Sequence, residues 1–391
     1  MMKTLYLTFC ILAMQTIASA QNLVWAKHVS GEASCEIQNS VLAPNGDLLS
    51  TGVFQGTFDF DPGSGISELT SVGVTDQFVM RTDANGNFIW VMQFGSGFFQ
   101  NNMQVASDEQ DNIYVAGTFN EAFDVDPLAG TNILTPNGPN SLFVAKFNAD
   151  RELIWVNKID NTEFSELSSL LVNGSGGAYV TGTFMNTLTI NDTEDVTDLG
   201  DTRRSFLIKF DSSSGSFEWS GYQSPNAIIN HLTFNNLGQV IAVGEFFFIC
   251  DADFDETTEF ELNANASRDV FITVYNPDRT LVNALSFGAS GYDSAHRVAV
   301  DNDGNVIVAG EYFTQVNPDP AGSGPAQLTT AGFTDGCFIA KYTADLDFIW
   351  AKQLGKAADT FIFDLAIGPD NHVYTTGTFN GTANMDPAQP E

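Results

Sequence analysis

Apolar runs of strand length, separated by clusters of Asn, Asp and Gly, follow one another along most of the chain. Val298-Ala299-Val300 leads through Asp301-Asn-Asp-Gly-Asn305 into Val306-Ile-Val-Ala309, two β-branched runs joined by turn residues. That pattern predicts a hairpin. A third run follows, as in Phe78-Val-Met-Arg81, Phe143-Val-Ala-Lys146, Phe206-Leu-Ile-Lys209, Phe271-Ile-Thr-Val274 and Phe338-Ile-Ala-Lys341. After a second turn comes a fourth, marked by Trp25, Trp90, Trp155, Trp219 and Trp350, with Ala284 in the tryptophan place of one copy. No stretch carries a competing 3.6-residue period. In each second run a glycine precedes an aromatic by two residues: Gly52–Phe54, Gly117–Phe119, Gly182–Phe184, Gly244–Phe246, Gly310–Tyr312 and Gly377–Phe379. Residues two apart in a strand share a face, so the ring can cover the gap a glycine leaves. The glycines recur every 62 to 67 residues, the signature of a repeat architecture.

Four antiparallel strands per repeat, joined by hairpins, predict an all-β fold and specifically a β-propeller of about 65 residues per blade. The blade phrase W-A-K-x-x-G, D-x-x-G-N-V-x-V-x-G-x-F, F-x-A-K-x-x-x-x-G-x-x-x-W resembles the SBBP-type β-propeller repeat of secreted bacterial proteins. The residues that carry it include Trp350-Ala-Lys352, Asp303-Gly-Asn305, Gly310, Phe143-Val-Ala-Lys146 and Trp90. The resemblance covers essentially all of the chain after residue 20. It implies an exported propeller, often seven-bladed and usually without an assigned activity.

The repeats give six first-and-second strand pairs, five third strands and six fourth strands, hence five full blades and a partial sixth. The stretch around Trp25 precedes the first pair and is expected to join the last blade, closing the ring. By the spacing of the first repeat, a sixth third strand falls at about residue 403, so the chain reads as truncated within its last blade.

Composition adds location. Lys3, the apolar Leu5 to Met14 stretch and Ala18-Ser19-Ala20 read as a secretory signal, residues 1–20, leaving 21–391 as one domain. No stretch reaches the roughly 20 apolar residues a membrane helix needs. The net charge of −33, from 48 acids and 15 bases, excludes nucleic acid and anionic lipid as partners. Beyond the signal, Cys35, Cys250 and Cys337 do not recur with the repeat and read as isolated thiols. With 43% hydrophobic residues and 33 Phe, a large core is expected.

Candidate chemistry lies in two periodic columns. Seven and nine residues after each glycine stand Asp59/Asp61, Asp124/Asp126, Thr189/Asn191, Asp251/Asp253, Asn317/Asp319 and Asn384/Asp386. Two acids at i and i+2 could chelate Ca²⁺, the one cofactor that the sequence suggests, but each loop lacks the six to eight oxygens that ion takes. The competing reading is that Asp-Pro opens a turn and the acids keep an exposed ribbon soluble. The second column lies on the first strand: Asn39, Gln104, Ser169, His231, Arg297 and Asp364. In a propeller such a column rings the central axis, and His231, Arg297 and Asp364 could form an acid–base or anion-binding cluster. The alternative is a hydrated channel mouth. The glycine spacing leaves no blade a long insertion on which to hold catalytic groups. The sequence therefore favours an exported, monomeric, non-catalytic scaffold binding an extracellular glycan or protein. A secreted carbohydrate-active hydrolase or lyase is the alternative.

Overall fold

The computed structural model describes residues 25–380, except 96–102, 129, 162, 164, 174–176, 197–201, 255–258, 323–326, 331–333 and 356–358. The signal sequence and Asp386 lie outside the described residues. Within them the protein is all β, with no helix.

Five units repeat one antiparallel four-strand order, first-second-third-fourth. Unit 1 comprises Cys35–Leu42, Leu48–Phe54, Asp76–Thr82 and Phe88–Phe94. Unit 2 comprises Gln104–Ser107, Ile113–Phe119, Ser141–Phe147 and Leu153–Asn161. Unit 3 runs through Ser165–Asn173, Gly177–Phe184, Arg204–Asp211 and Phe217–Tyr222, and unit 4 through Ile228–Phe234, Val240–Asp251, Glu261–Tyr275 and Leu281–Phe287. Unit 5 is Asp293–Val300, Val306–Phe313, Asp335–Tyr342 and Phe348–Leu354. Unit 6 contributes the pair Asp359–Ile367 and Val373–Asn380.

The recurrent glycine sets the register. Gly52, Gly117, Gly182, Gly244 and Gly310 stand opposite Phe78, Phe143, Phe206, Phe271 and Phe338 of the third strands. A Cβ on Gly52, Gly182, Gly244, Gly310 or Gly377 would meet a first-strand carbonyl oxygen, that of Glu36, Glu166, Ile228, Ser294 or Phe361 respectively. The close approach comes from a β-bulge: in units 1, 3, 4, 5 and 6 the first strand shifts register at that level. Only glycine admits both the first-strand carbonyl beside the bulge and the third-strand ring.

The core lies between units. One cluster joins Leu49, Val79 and Trp90 of unit 1 to Val105, Val115 and Phe143 of unit 2. Others join units 2 and 3, 3 and 4, 4 and 5, and 5 and 6. No single sheet can bury both faces alone, so each is completed by its neighbours.

Two features depart from the sequence reading. Between second and third strands the chain forms a short ribbon, as in Thr57–Asp59 with Glu68–Thr70, which unit 4 makes continuous with its main strands. The Trp25 stretch is not in a ladder; instead Ser30–Gly31 pairs with the unit 1 ribbon. The end of the unit 2 fourth strand pairs with the unit 3 ribbon in the same way, Ile159 opposite Ile190. Trp25 also abuts Gly86 of unit 1 as Trp155 abuts Gly215 of unit 3. It therefore holds a fourth-strand place, and among the described residues it has no third strand beside it to pair with.

Candidate functional site

The six polar first-strand residues converge. Asn39, Gln104, Ser169, His231, Arg297 and Asp364 all line one cavity of about 730 Å³, with Gln38, Ser40, Ser168, Phe363 and Thr376 among its other walls. The bulge explains the aim: Asn39, Ser169, His231, Arg297 and Asp364 each directly follow the residue left unpaired by the register shift. A bulge re-aims the next side chain without breaking the sheet.

Neighbouring units contact one another across the cavity wall. Asn39 Nδ2 donates to Gln104 Oε1 at 2.6 Å. Arg297 Nε stands 3.4 Å from Asp364 Oδ1, while its Nη1 donates to the His296 carbonyl at 2.9 Å. The backbone N–H of Val298 donates to His231 Nδ1 at 3.4 Å, which leaves Nε2 as the protonated nitrogen. Burial, reinforced by the Arg297 charge, pushes His231 down to about 3, so the imidazole is neutral at physiological pH. With the Arg297 and Asp364 charges opposed, the lining carries no net charge although the chain carries −33. Such a surface offers amide, hydroxyl, imidazole and guanidinium donors.

Phe363 escaped the sequence reading. It occupies the bulge position, held by Gln38, Ser168, Asn230 and His296 in other units, and it is 56% exposed beside Asp364. The same place holds Met103 in unit 2, so an apolar residue there gave the sequence no distinctive signal.

The acidic pairs do something else. Asp59 Oδ1 accepts the N–H groups of Asp61 and Ser67, and Asp61 Oδ1 that of Gly63. Asp124 Oδ1 accepts from Asp126 and Asn132, and Asp126 Oδ1 from Leu128. Asp251 Oδ1 accepts from Asp253 and Phe260; at the unit 5 ribbon Asn317 Oδ1 accepts from Asp319. One oxygen of each leading residue thus shapes the ribbon turn. Among the described residues no group of three or more His, Cys, Asp or Glu side chains is placed to hold a metal ion. Cys35, Cys250 and Cys337 are free thiols. Among the described residues no helix is long and apolar enough to cross a membrane.

No protein-family model matches the chain. The chain is similar to an uncharacterized WD repeat-containing protein of Acanthamoeba polyphaga mimivirus, 22% identical over 373 residues, 77% of this chain and 26% of that protein. The chain thus spans about a quarter of that relative's length. WD repeats build four-stranded propeller blades, so this likeness and the repeated four-stranded sheets both point to a β-propeller.

Proposed function

We propose that the protein is a β-propeller binding scaffold whose central cavity takes a neutral polar ligand, a glycan above all. The observation that carries this reading is the delivery of six unlike polar side chains from six successive units into one cavity. Vicinal hydroxyls match paired amides and a carboxylate, as Asn39, Gln104 and Asp364 supply, and an exposed ring such as Phe363 gives a sugar its apolar face to lie against. The absence of net charge in the lining disfavours phosphate and free cations.

The resemblance to SBBP-type repeats and the signal-like residues 1–20 support export, with a mature chain starting at Gln21 and working as a monomer outside the cell. Mass determination of the secreted product tests this directly. The ligand reading is tested by a glycan array run beside a reducing-sugar assay on the same sample. Retention of a glycan that Arg297→Ala and Phe363→Ala both release, without sugar turnover, is the expected result. The alternative is a carbohydrate-cleaving enzyme using His231, Arg297 and Asp364; turnover that Asp364→Asn abolishes would establish it and displace the scaffold reading.

A further inference from the structure

Four of the six second strands are followed, four places after the recurrent glycine, by a residue of left-handed backbone: Gly56 (φ +82°), Asn186 (+64°), Phe248 (+61°) and Thr314 (+65°). Glycine and asparagine take that conformation readily, whereas a bulky aromatic residue is strained in it. Packing does not explain the phenylalanine, since Phe248 is 69% exposed. Ile249 beside it is 51% exposed, and both fall at the register shift where the second strand of unit 4 runs on into its ribbon. Unit 4 has all four of its own strands and stands between complete units, so the exposure does not come from a missing strand. Strain kept without burial points to a role outside the fold.

The neighbouring side chains form a row across units 4 and 5. The Phe247 and Phe248 ring centres lie 6.5 Å apart. Arg268 stands opposite Phe247 on the third strand, with its guanidinium carbon 4.9 Å from the Phe247 ring centre. The same carbon lies 5.6 Å from the ring centre of Tyr292, which is 60% exposed and bridged to Arg268 through the backbone. Arg268 Nη1 is 2.9 Å from Glu245 Oε1, so its charge is met within the row. Beyond Ile249 the same face turns acidic: Asp251 shares it by strand alternation and stands opposite Glu261. Like charges so opposed repel, and residues 251–261 hold six acids and no Lys or Arg.

We propose that this face, from Tyr292 through Arg268 and Phe247 to Phe248 and Ile249, docks a segment of another protein that carries both basic and apolar side chains. The apolar side chains cover Phe248 and Ile249, and the basic ones relieve the opposed Asp251 and Glu261. Exposed aromatics held around an arginine are the composition of an interface core. This surface is separate from the cavity and its ligand.

The probe is a labelled synthetic peptide of alternating Lys and Leu, run beside an alternating Lys and Ser peptide of equal charge. Fluorescence anisotropy on the purified chain is expected to show saturable binding of the Lys–Leu peptide, with amide exchange slowed within 247–251. The Lys–Ser peptide is expected to bind at least about tenfold more weakly, and Phe248→Asn to weaken Lys–Leu binding by a similar factor. Because asparagine accepts the left-handed backbone, Phe248→Asn is also expected to unfold at higher urea concentration than the parent, so lost binding cannot be lost folding. Equal binding of the two peptides, no saturable binding of the Lys–Leu peptide, or parental affinity in Phe248→Asn overturns the proposal. So does a lower urea midpoint for Phe248→Asn, which would make the ring structural, or sedimentation showing that two copies of the chain pair through this face.

Discussion

Asp269 and Asp293 are both fully buried where units 4 and 5 meet. Ala289 N–H donates to Asp293 Oδ2 at 2.7 Å, and Asn265 donates through its backbone N–H and Nδ2 to Asp269 Oδ2. The Oδ1 atom of each has no hydrogen-bond partner. Burial, with the Asp269 charge adding to it, pushes Asp293 up to about 7. The folded protein therefore holds a proton that the unfolded chain has released above about pH 4. The contribution of Asp293 to stability therefore falls as pH rises from about 4 to about 7 and then levels off, by on the order of 1 kcal/mol per pH unit at most. Asp293→Asn fixes the neutral form. It is expected to unfold at higher denaturant concentration than the parent at pH 8 and at about the same concentration at pH 4; parallel pH profiles would show that Asp293 does not hold that proton. His231 works in the opposite sense. Its folded value lies below its unfolded one, so the folded state loses stability as pH falls from about 6.5 towards 3. His231→Gln is expected to flatten that acid limb in the same titration, and an unchanged limb would place the lost protons elsewhere.

At the scale of the strand, the sequence made the period and the four runs per repeat readable because both depend on local alternation and turn residues. The glycine–aromatic phrase was legible as a close approach, but what approaches was not: the carbonyl belongs to the first strand, two residues before its bulge, and a bulge leaves no mark in the Val41 or Val298 pattern. For the same reason the sequence could name the ring Asn39 to Asp364 as a column and not see that Phe363 stands among it. The ribbon strands escaped because runs of two or three residues, such as Phe123–Asp124, are too short to show a period. The bulge gives a sharp contrast between glycines. Gly310→Ala sets a methyl against the Ser294 carbonyl oxygen and the Ala295 Cα, whereas Gly46→Ala meets nothing within 4 Å and bears only its φ of +88°. Urea unfolding is expected to show a loss of about 1 kcal/mol for Gly46→Ala and more than about 3 kcal/mol, or failure to fold, for Gly310→Ala. Equal losses would mean that the first strand can move aside, and the bulge would not then be a fixed feature.

Over the whole molecule, charge and packing oppose each other. Successive sheets bury their faces between units, while 48 acids against 15 bases repel one another across the surface. Several bases are already engaged: Arg81 with Asp47 and Asp111, Lys146 with Asp108, Lys341 with Asp301, and Arg268 with Glu245. The remaining excess is negative and unscreened at low salt. Raising NaCl from about 10 to about 200 mM shortens the screening length to roughly 7 Å and is expected to raise the melting temperature by several degrees. Calcium separates this general effect from a bound ion. The leading acids of the ribbons, Asp59, Asp124 and Asp251, already use one oxygen on two backbone N–H groups each. Binding a cation there would have to build the rest of its shell from water. CaCl₂ at matched ionic strength is therefore expected to add nothing beyond NaCl, and EDTA to leave the melting temperature where it was. A further rise that saturates with calcium and disappears in Asp59→Asn/Asp61→Asn would instead make the ribbon turns cation sites, and their acids more than turn-formers.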